Sequence, residues 1–165
     1  MCSILGIIDF DKKKQDKDLE IKKINNLLKH RGPDDEGFYS DEYVSLAFNR
    51  LSILDLQKGN QPIKNNHIIS IFNGEIYNFK EVRKELEDSG FKFKTNSDSE
   101  IIPAAFLKWG IECISKFNGM FAISIYDLNE KKLYLIRDRV GIKPLYYSLF
   151  DGLLVFSSEI SGIIN

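Results

Sequence analysis

Apolar residues recur along this chain in short blocks, not long runs. Seven blocks read as strands: Ser3–Asp9, Val44–Asn49, Ile68–Asn73, Phe121–Asp127, Leu133–Asp138, Leu145–Leu149 and Leu153–Ser157. Several are apolar at consecutive positions, as in Ile68-Ile69-Ser70-Ile71-Phe72, so both faces of those strands need cover and the sheets should lie between other layers. Three segments carry helical spacing instead. Asp18–His30 aligns Ile21, Ile24, Leu27 and Leu28, and Phe79–Ser89 aligns Phe79, Val82 and Leu86 before a capping Gly90. Asp98–Trp109 opens on Ser97-x-x-Glu100, the form of a capping box, with Pro103 near enough to the start to be tolerated. Asp151-Gly152 reads as a tight hairpin turn and Asn129–Lys132 as a second one. The pattern predicts a single mixed α/β domain over 1–165, dominated by antiparallel hairpins.

Composition narrows this further. Of 165 residues, 23 are Lys or Arg and 24 Asp or Glu, a balance that suits neither nucleic acid nor an anionic membrane surface. A 43% apolar content with 12 Phe and 7 Tyr is ample for a core and argues against disorder. No apolar run approaches the ~20 residues of a membrane span, and the amino terminus lacks a basic, signal-like region. A soluble cytoplasmic domain is expected. Two Cys and two His cannot form a disulfide framework or a zinc finger, and His30 and His67 lack local ligand partners, so no metal is expected. The Lys12–Lys14 run and the charges after it are expected to be a solvated loop and helix face.

Few residues have obvious chemical potential. Removal of Met1 would leave Cys2 as the terminal residue, with a thiol and a free α-amine in one group. Their reference pKa values, about 8.5 and about 7.7–8.0, let the amine accept the thiol proton near neutral pH without any histidine. The plain alternative for Cys2 is a small buried residue at a strand start; Cys113, among apolar neighbours, reads as a core thiol. Asn73-Gly74 ends a buried strand and offers a side-chain N–H beside a backbone N–H, as an oxyanion needs, or is simply a turn. Arg50 presents a fork suited to a carboxylate and Asp98 a counter-charge suited to an ammonium, the two ends of a free amino acid; a structural ion pair and a helix N-terminal charge are their structural alternatives.

Together these segments carry a family resemblance. Met1-Cys2-Ser3-Ile4, His30-Arg31-Gly32-Pro33-Asp34, Arg50-Leu51-Ser52-Ile53, Asn73–Asn78, Ser97–Glu100, Phe117–Phe121, Arg137–Tyr146 and Phe156–Glu159 occur in order. Over essentially the whole chain the sequence closely resembles the N-terminal glutaminase domain of glutamine-dependent asparagine synthase, a class II glutamine amidotransferase with the N-terminal-nucleophile hydrolase fold. The resemblance implies an α/β (α+β) fold, a four-layer α/β/β/α sandwich of two mostly antiparallel sheets. It implies Cys2 as nucleophile with its own α-amine as base, and Asn73 and Gly74 as the oxyanion hole. It also implies Arg50 on the glutamine α-carboxylate, Glu75 and Asp98 on its α-amine, and main-chain groups around Ile53 and Leu54 along the substrate.

Glutamine would be hydrolysed to glutamate and ammonia with no cofactor. The synthetase half of such enzymes, an ATP-pyrophosphatase domain with a Ser-Gly-Gly-x-Asp-Ser loop that uses ATP and Mg, has no counterpart in these residues, so ammonia would pass to a synthetase domain or subunit outside them. A non-catalytic glutamine-binding or regulatory domain, or a hydrolase for another amide, are the alternatives. The oligomeric state stays open, a homodimer included.

Overall fold

The inner strands are apolar on both faces, and the architecture follows from what covers each face. A computed structural model describes residues 1–12, 16–52 and 59–164. Its elements run β1 (Ser3–Asp9), α1 (Lys17–Leu27), β2 (Asp35–Ser40), β3 (Val44–Arg50), β4 (Ile63–Asn65), β5 (Ile68–Ile76), α2 (Phe79–Glu87), α3 (Ile101–Trp109), β6 (Gly119–Asp127), β7 (Lys132–Arg137), β8 (Tyr146–Phe150), β9 (Leu153–Ser157) and α4 (Ser161–Ile164). Short 3-10 turns cover Lys29–Arg31, Asp98–Glu100 and Gly110–Lys116. Five strands form one sheet in the order β2-β3-β1-β9-β8, and four form a second in the order β4-β5-β6-β7. Every strand pair is antiparallel.

Side chains alternate across each strand, so each sheet feeds two cores. Ile4, Leu46 and Phe48 of the first sheet meet Ile69, Ile71 and Ala122 of the second in a core between the sheets. The opposite face of the first sheet, with Leu5, Ile7 and Ala47, packs on Ile21 of α1 and on Leu28. The outer face of the second sheet, with Phe72, Ile123 and Ile125, packs on Leu86 of α2 and on Ile102 and Ala105 of α3. Three cores separated by two sheets make the α/β/β/α sandwich, as the strand pattern and the resemblance implied.

The differences from the sequence reading are local. β5 does not stop at Asn73 but runs through Gly74 to Ile76, so Asn73 and Gly74 sit inside a strand, opposite Ala122 and Phe121, and form no turn. β2 and β4 were not foreseen: β2 is an edge strand without an apolar alternation and β4 spans three residues, too few to show a period. The first helix ends at Leu27 and gives way to the turn at Lys29–Arg31, short of His30. The Ser97/Glu100 capping box does not close. Ser97 caps through its Oγ, which accepts from Ser99 N at 3.3 Å, while Glu100 accepts from the N–H groups of Lys94 and Thr95. Lys17 is no part of a solvated face: it is 6% exposed, and its Nζ donates to the carbonyls of Asp41 and Glu42. Lys13 and Lys14 lie outside the described residues. The Asp151-Gly152 hairpin turn forms as expected, with φ of 47° and 75° at its two central residues.

Candidate active site

Strand parity delivers three of the candidate residues to one place. Cys2 precedes β1 and packs against the core between the sheets, two residues from Ile4. Arg50 ends β3 two residues beyond Phe48, and Asn73 lies two beyond Ile71 in β5, so all three sit on the inner faces of the sandwich. There Cys2, Arg50, Gly74, Glu75 and Asp98 line a single cleft, together with Phe48. Ile53 and Leu54 lie outside the described residues.

The thiol is tethered on two sides. Cys2 Sγ accepts from Leu51 N at 3.4 Å and donates to Leu51 O at 3.6 Å, a docking onto the residue that follows Arg50. The Cys2 carbonyl accepts from Arg31 Nε at 3.0 Å. Arg31, 8% exposed, is itself held by Glu159, whose Oε1 lies 3.0 Å from both Arg31 Nη1 and His30 Nε2. Burial works against the charge on Glu159, yet the hydrogen bonds from Arg31 and His30 keep its carboxyl below the usual range. The ends of β1, the Lys29–Arg31 turn and the stretch after β9 thus fix the backbone of Cys2. Below Ser3 a second buried cluster does the same work: Asn49 Nδ2 donates to Ser3 Oγ at 3.1 Å, and the Asn49 and Asn25 amides pair at 2.9 Å.

Asn73 is 1% exposed, and its Nδ2 is a buried donor with no hydrogen-bond partner in the structure. A buried amide N–H left unmatched costs roughly 1–3 kcal/mol, and this one, between the cleft residues Phe72 and Gly74, is left able to donate to an incoming acceptor. The next residue admits no side chain: a Cβ on Gly74 would stand 2.1 Å from Met120 O and 2.7 Å from Phe121 Cα. Glycine is required here by the close approach of β6, which leaves the β5 backbone bare toward the cleft.

The far end of the cleft is acidic. Asp98 is 5% exposed, and its Oδ2 accepts from Ile76 N at 3.0 Å. Burial first, with the neighbouring charge of Glu75 adding to it, pushes its carboxyl up to about 6, against the pull of the Ile76 N–H. A carboxylate pair under that strain is a ready receptor for a cation. Arg50, 6% exposed, supplies the opposite charge, with its Nη1 donating to Asn60 Oδ1 at 2.9 Å. The cleft therefore holds a guanidinium, two carboxylates and a thiol, and its lining residues Phe72 and Gly74 flank the buried amide of Asn73, a set matching the zwitterionic head and the side-chain amide of a small amino acid.

The remaining candidates sit elsewhere. Cys113 is wholly buried in the core under α3, where burial pushes its thiol up to about 12 and leaves it inert. His67 is close to Asp127 at 4.0 Å, far from the cleft in the chain's hairpins. Among the described residues no group of three or more His, Cys, Asp or Glu is placed to hold a metal ion, and no helix is long and apolar enough to cross a membrane. Sequence reading did not single out Arg31, Glu159, Asn25 or Asn49. Arg31 and Glu159 lie within the His30–Asp34 and Phe156–Glu159 strings, but their pairing spans 128 positions and has no local signature.

Comparison with known proteins points the same way. Residues 1–165 match a family model described as a glutamine amidotransferase domain. The chain is 43% identical over 163 residues to a glutamine-hydrolysing asparagine synthetase 1 of Bacillus subtilis, covering 96% of this chain and 26% of that protein. It is 39% identical over 169 residues to the glutamine-hydrolysing asparagine synthetase B of Escherichia coli, covering 99% and 30%. The chain thus spans about a quarter to a third of the length of these relatives. The fold is shared with a glutamine phosphoribosylpyrophosphate amidotransferase from B. subtilis, at a TM-score of 0.81 and 18% identity over 98% of this chain and 43% of that one.

Proposed function

Because this chain belongs to the glutamine amidotransferase domain family, we propose that it hydrolyses glutamine to glutamate and ammonia through a thioester on Cys2. The observation that carries this reading is the unpartnered Nδ2 of buried Asn73, on the inner face of the second sheet, across the sandwich from the first sheet that carries Cys2. Removal of Met1, which is 56% exposed, frees the Cys2 α-amine. Arg50 then takes the substrate α-carboxylate, and Asp98 with Glu75 takes its ammonium, which aims the side-chain amide at the sulfur.

The amine accepts the thiol proton, directly or through one water, and the thiolate attacks the amide carbon. The carbonyl oxygen becomes an oxyanion facing Asn73 Nδ2 and the Gly74 N–H, donors of a kind worth about 3–4 kcal/mol each to the transition state. As the oxyanion collapses, the C–N bond breaks and the terminal ammonium returns its proton to the nitrogen, which departs as ammonia. A water molecule, deprotonated by the same amine, then attacks the thioester; glutamate leaves and the thiol is restored. No step calls for a metal or a cofactor. The ammonia would serve an asparagine-synthase-type synthetase that uses ATP and Mg, in the cytoplasm.

Glutamate release by protein with a native Cys2 terminus, with Met1 loss confirmed by intact mass, tests the reading beside Cys2→Ala. Release that vanishes in the variant supports it. Release that persists overturns Cys2 as nucleophile, and binding of glutamine without any release points to a domain that only senses it.

A further inference from the structure

Gln61 lies in the segment after the residues that follow Arg50, and it is 8% exposed in the wall of the cleft. The pairing of β4 with β5 places Ile63 opposite Ser70, so Gln61 falls opposite Phe72. At that point the ladder is continued by a side chain. Gln61 Oε1 accepts from Phe72 N at 2.6 Å and Gln61 Nε2 donates to Phe72 O at 3.1 Å, so one amide satisfies both backbone groups of the residue preceding Asn73. The Gln61 carbonyl lies against the first sheet: a Cβ on Gly37 of β2 would stand 1.7 Å from it. The preceding residue, Asn60, accepts from Arg50 Nη1 at 2.9 Å. Three consecutive features therefore converge on one short strap, anchored to β2 by its backbone, to β5 by the Gln61 side chain and to Arg50 by Asn60.

We propose that Gln61 is a positioning residue that holds the strap bearing Asn60 at a fixed distance from the Asn73–Gly74 strand, and so sets the spacing between the carboxylate-binding Arg50 and the oxyanion donors. Its side-chain amide is spent on the Phe72 backbone, so it acts on the site through Asn60 and the strand. The inference rests on the proposed glutaminase reading and adds to it a device for matching the length of the substrate. A glutamine amide would do this where a carboxylate would not, because only the neutral group accepts from the Phe72 N–H and donates to the Phe72 C=O together.

Four variants of the native-terminus protein test it: Gln61→Met, which removes both bonds at similar length; Gln61→Glu; Gly37→Ala, which displaces the strap with no change to any polar side chain; and Asn60→Ala. The readouts are KM and kcat for glutamine, and glutamine affinity by calorimetry in a Cys2→Ala background. Gln61→Met and Gly37→Ala should each raise KM and Kd roughly tenfold, the loss of about one charged-group hydrogen bond. The Gln61→Met/Asn60→Ala double variant should be no worse in Kd than the worse single one, because both act through Arg50. The Gln61→Glu defect, taken as a ratio to wild type at each pH, should shrink as pH falls and its carboxyl regains a proton to donate to Phe72 O.

Unchanged KM and Kd in both Gln61→Met and Gly37→Ala would overturn the proposal, as would full additivity with Asn60→Ala or a Gln61→Glu ratio indifferent to pH. Should Gln61→Met fail to fold, Gly37→Ala and the pH ratio still decide the matter. Wild-type protein that neither binds nor hydrolyses glutamine overturns the functional reading and this inference together, whereas working wild type with unaffected variants overturns this inference alone.

Discussion

Cys2 Sγ and Leu51 N lie 3.4 Å apart, which ties the candidate nucleophile to the residue immediately after the candidate carboxylate receptor, Arg50. The thiol is thereby docked beside the Arg50 backbone, and the guanidinium is held separately, by Asn60 Oδ1 at 2.9 Å from Arg50 Nη1, so the distance between them depends on both contacts. A substrate gripped at its α-carboxylate must span that distance to present its amide. Asparagine, one methylene shorter, is expected to reach the thiol poorly, with kcat/KM lower by about 10–200-fold, the usual worth of one methylene. Amidohydrolysis rates for the two amino acids at matched concentrations check this, and equal rates would sink it.

Asn73 offers its Nδ2 to nothing in the resting protein. A donor that gains its partner only when the carbonyl oxygen becomes charged stabilises the transition state and not the bound substrate. Asn73→Ala should therefore lower kcat by about 10²–10³ while KM stays within about threefold. Steady-state kinetics separates the two parameters. A rise in KM with kcat intact would mean the amide serves binding instead.

Asp98 is held near a pKa of about 6 by burial and by Glu75, above the value of 3.8 for an unperturbed Asp. The folded protein accordingly binds more protons than the unfolded chain between those values, and this group's contribution makes stability fall as pH rises from about 4 to 6. Above pH 6 the charged carboxylate is a standing burden on the fold. Asp98→Asn should then raise the melting temperature at pH 8, with a smaller gain at pH 4, and weaken glutamine binding by at least tenfold through loss of the charge facing the ammonium. Wild-type affinity should decline as pH drops through about 6, because protonated Asp98 no longer attracts a cation. Calorimetry across pH 5–8 in Cys2→Ala protein reads both effects, and a flat profile would exclude Asp98 from the binding site.

The strands most legible in the sequence were those apolar on both faces, such as β1 and β5, since only a layered sandwich can cover them. β2 was hidden because polar and aromatic residues are mixed on both of its faces, with Phe38 exposed and Asp35 half-buried, so Asp35–Ser40 shows no apolar alternation. Cys2 and Arg50 could be singled out in the sequence, each beside a structural alternative, and the structure brings the two to one cleft. The supports could not be singled out. Arg31 meets Glu159 and Asn25 meets Asn49 across long stretches of chain, and a buried asparagine looks in sequence like any other polar residue. Gln61 shows the limit most clearly, since its partner is a backbone and no sequence motif marks a side chain that stands in for a strand.

The Asn25–Asn49–Ser3 cluster is fully buried and sits directly beneath Cys2. Asn49 uses its Nδ2 on Ser3 Oγ and on the carbonyl and side-chain oxygens of Asn25, so removal of Asn25's amide strips Asn49 Oδ1 of its donor. Asn25→Ala should destabilise the fold by about 2–3 kcal/mol, from an unmet buried acceptor and a small cavity. Urea unfolding followed by fluorescence of Trp109 and by circular dichroism measures this. A loss under about 0.5 kcal/mol would show that the pocket relaxes around the gap.

Met1 blocks the nitrogen that the proposed mechanism uses as its base. Its Sδ lies 3.5 Å from Nζ of Lys143, itself only 7% exposed, while the Met1 carbonyl acylates the Cys2 nitrogen. An acylated nitrogen has no lone pair with which to accept the thiol proton, so retained Met1 should abolish glutamate release while the Cys2 thiol, Arg50 and Asp98 remain in place. Protein carrying one further residue ahead of Met1, chosen to block its removal, is the direct test. Its turnover should fall by at least 10³, the scale of a lost general base with its nucleophile, and glutamine affinity should stay within about threefold of processed Cys2→Ala protein. Mass spectrometry confirms which terminus each sample carries. Full turnover by protein with Met1 intact would remove the α-amine from the mechanism and require another base near Cys2.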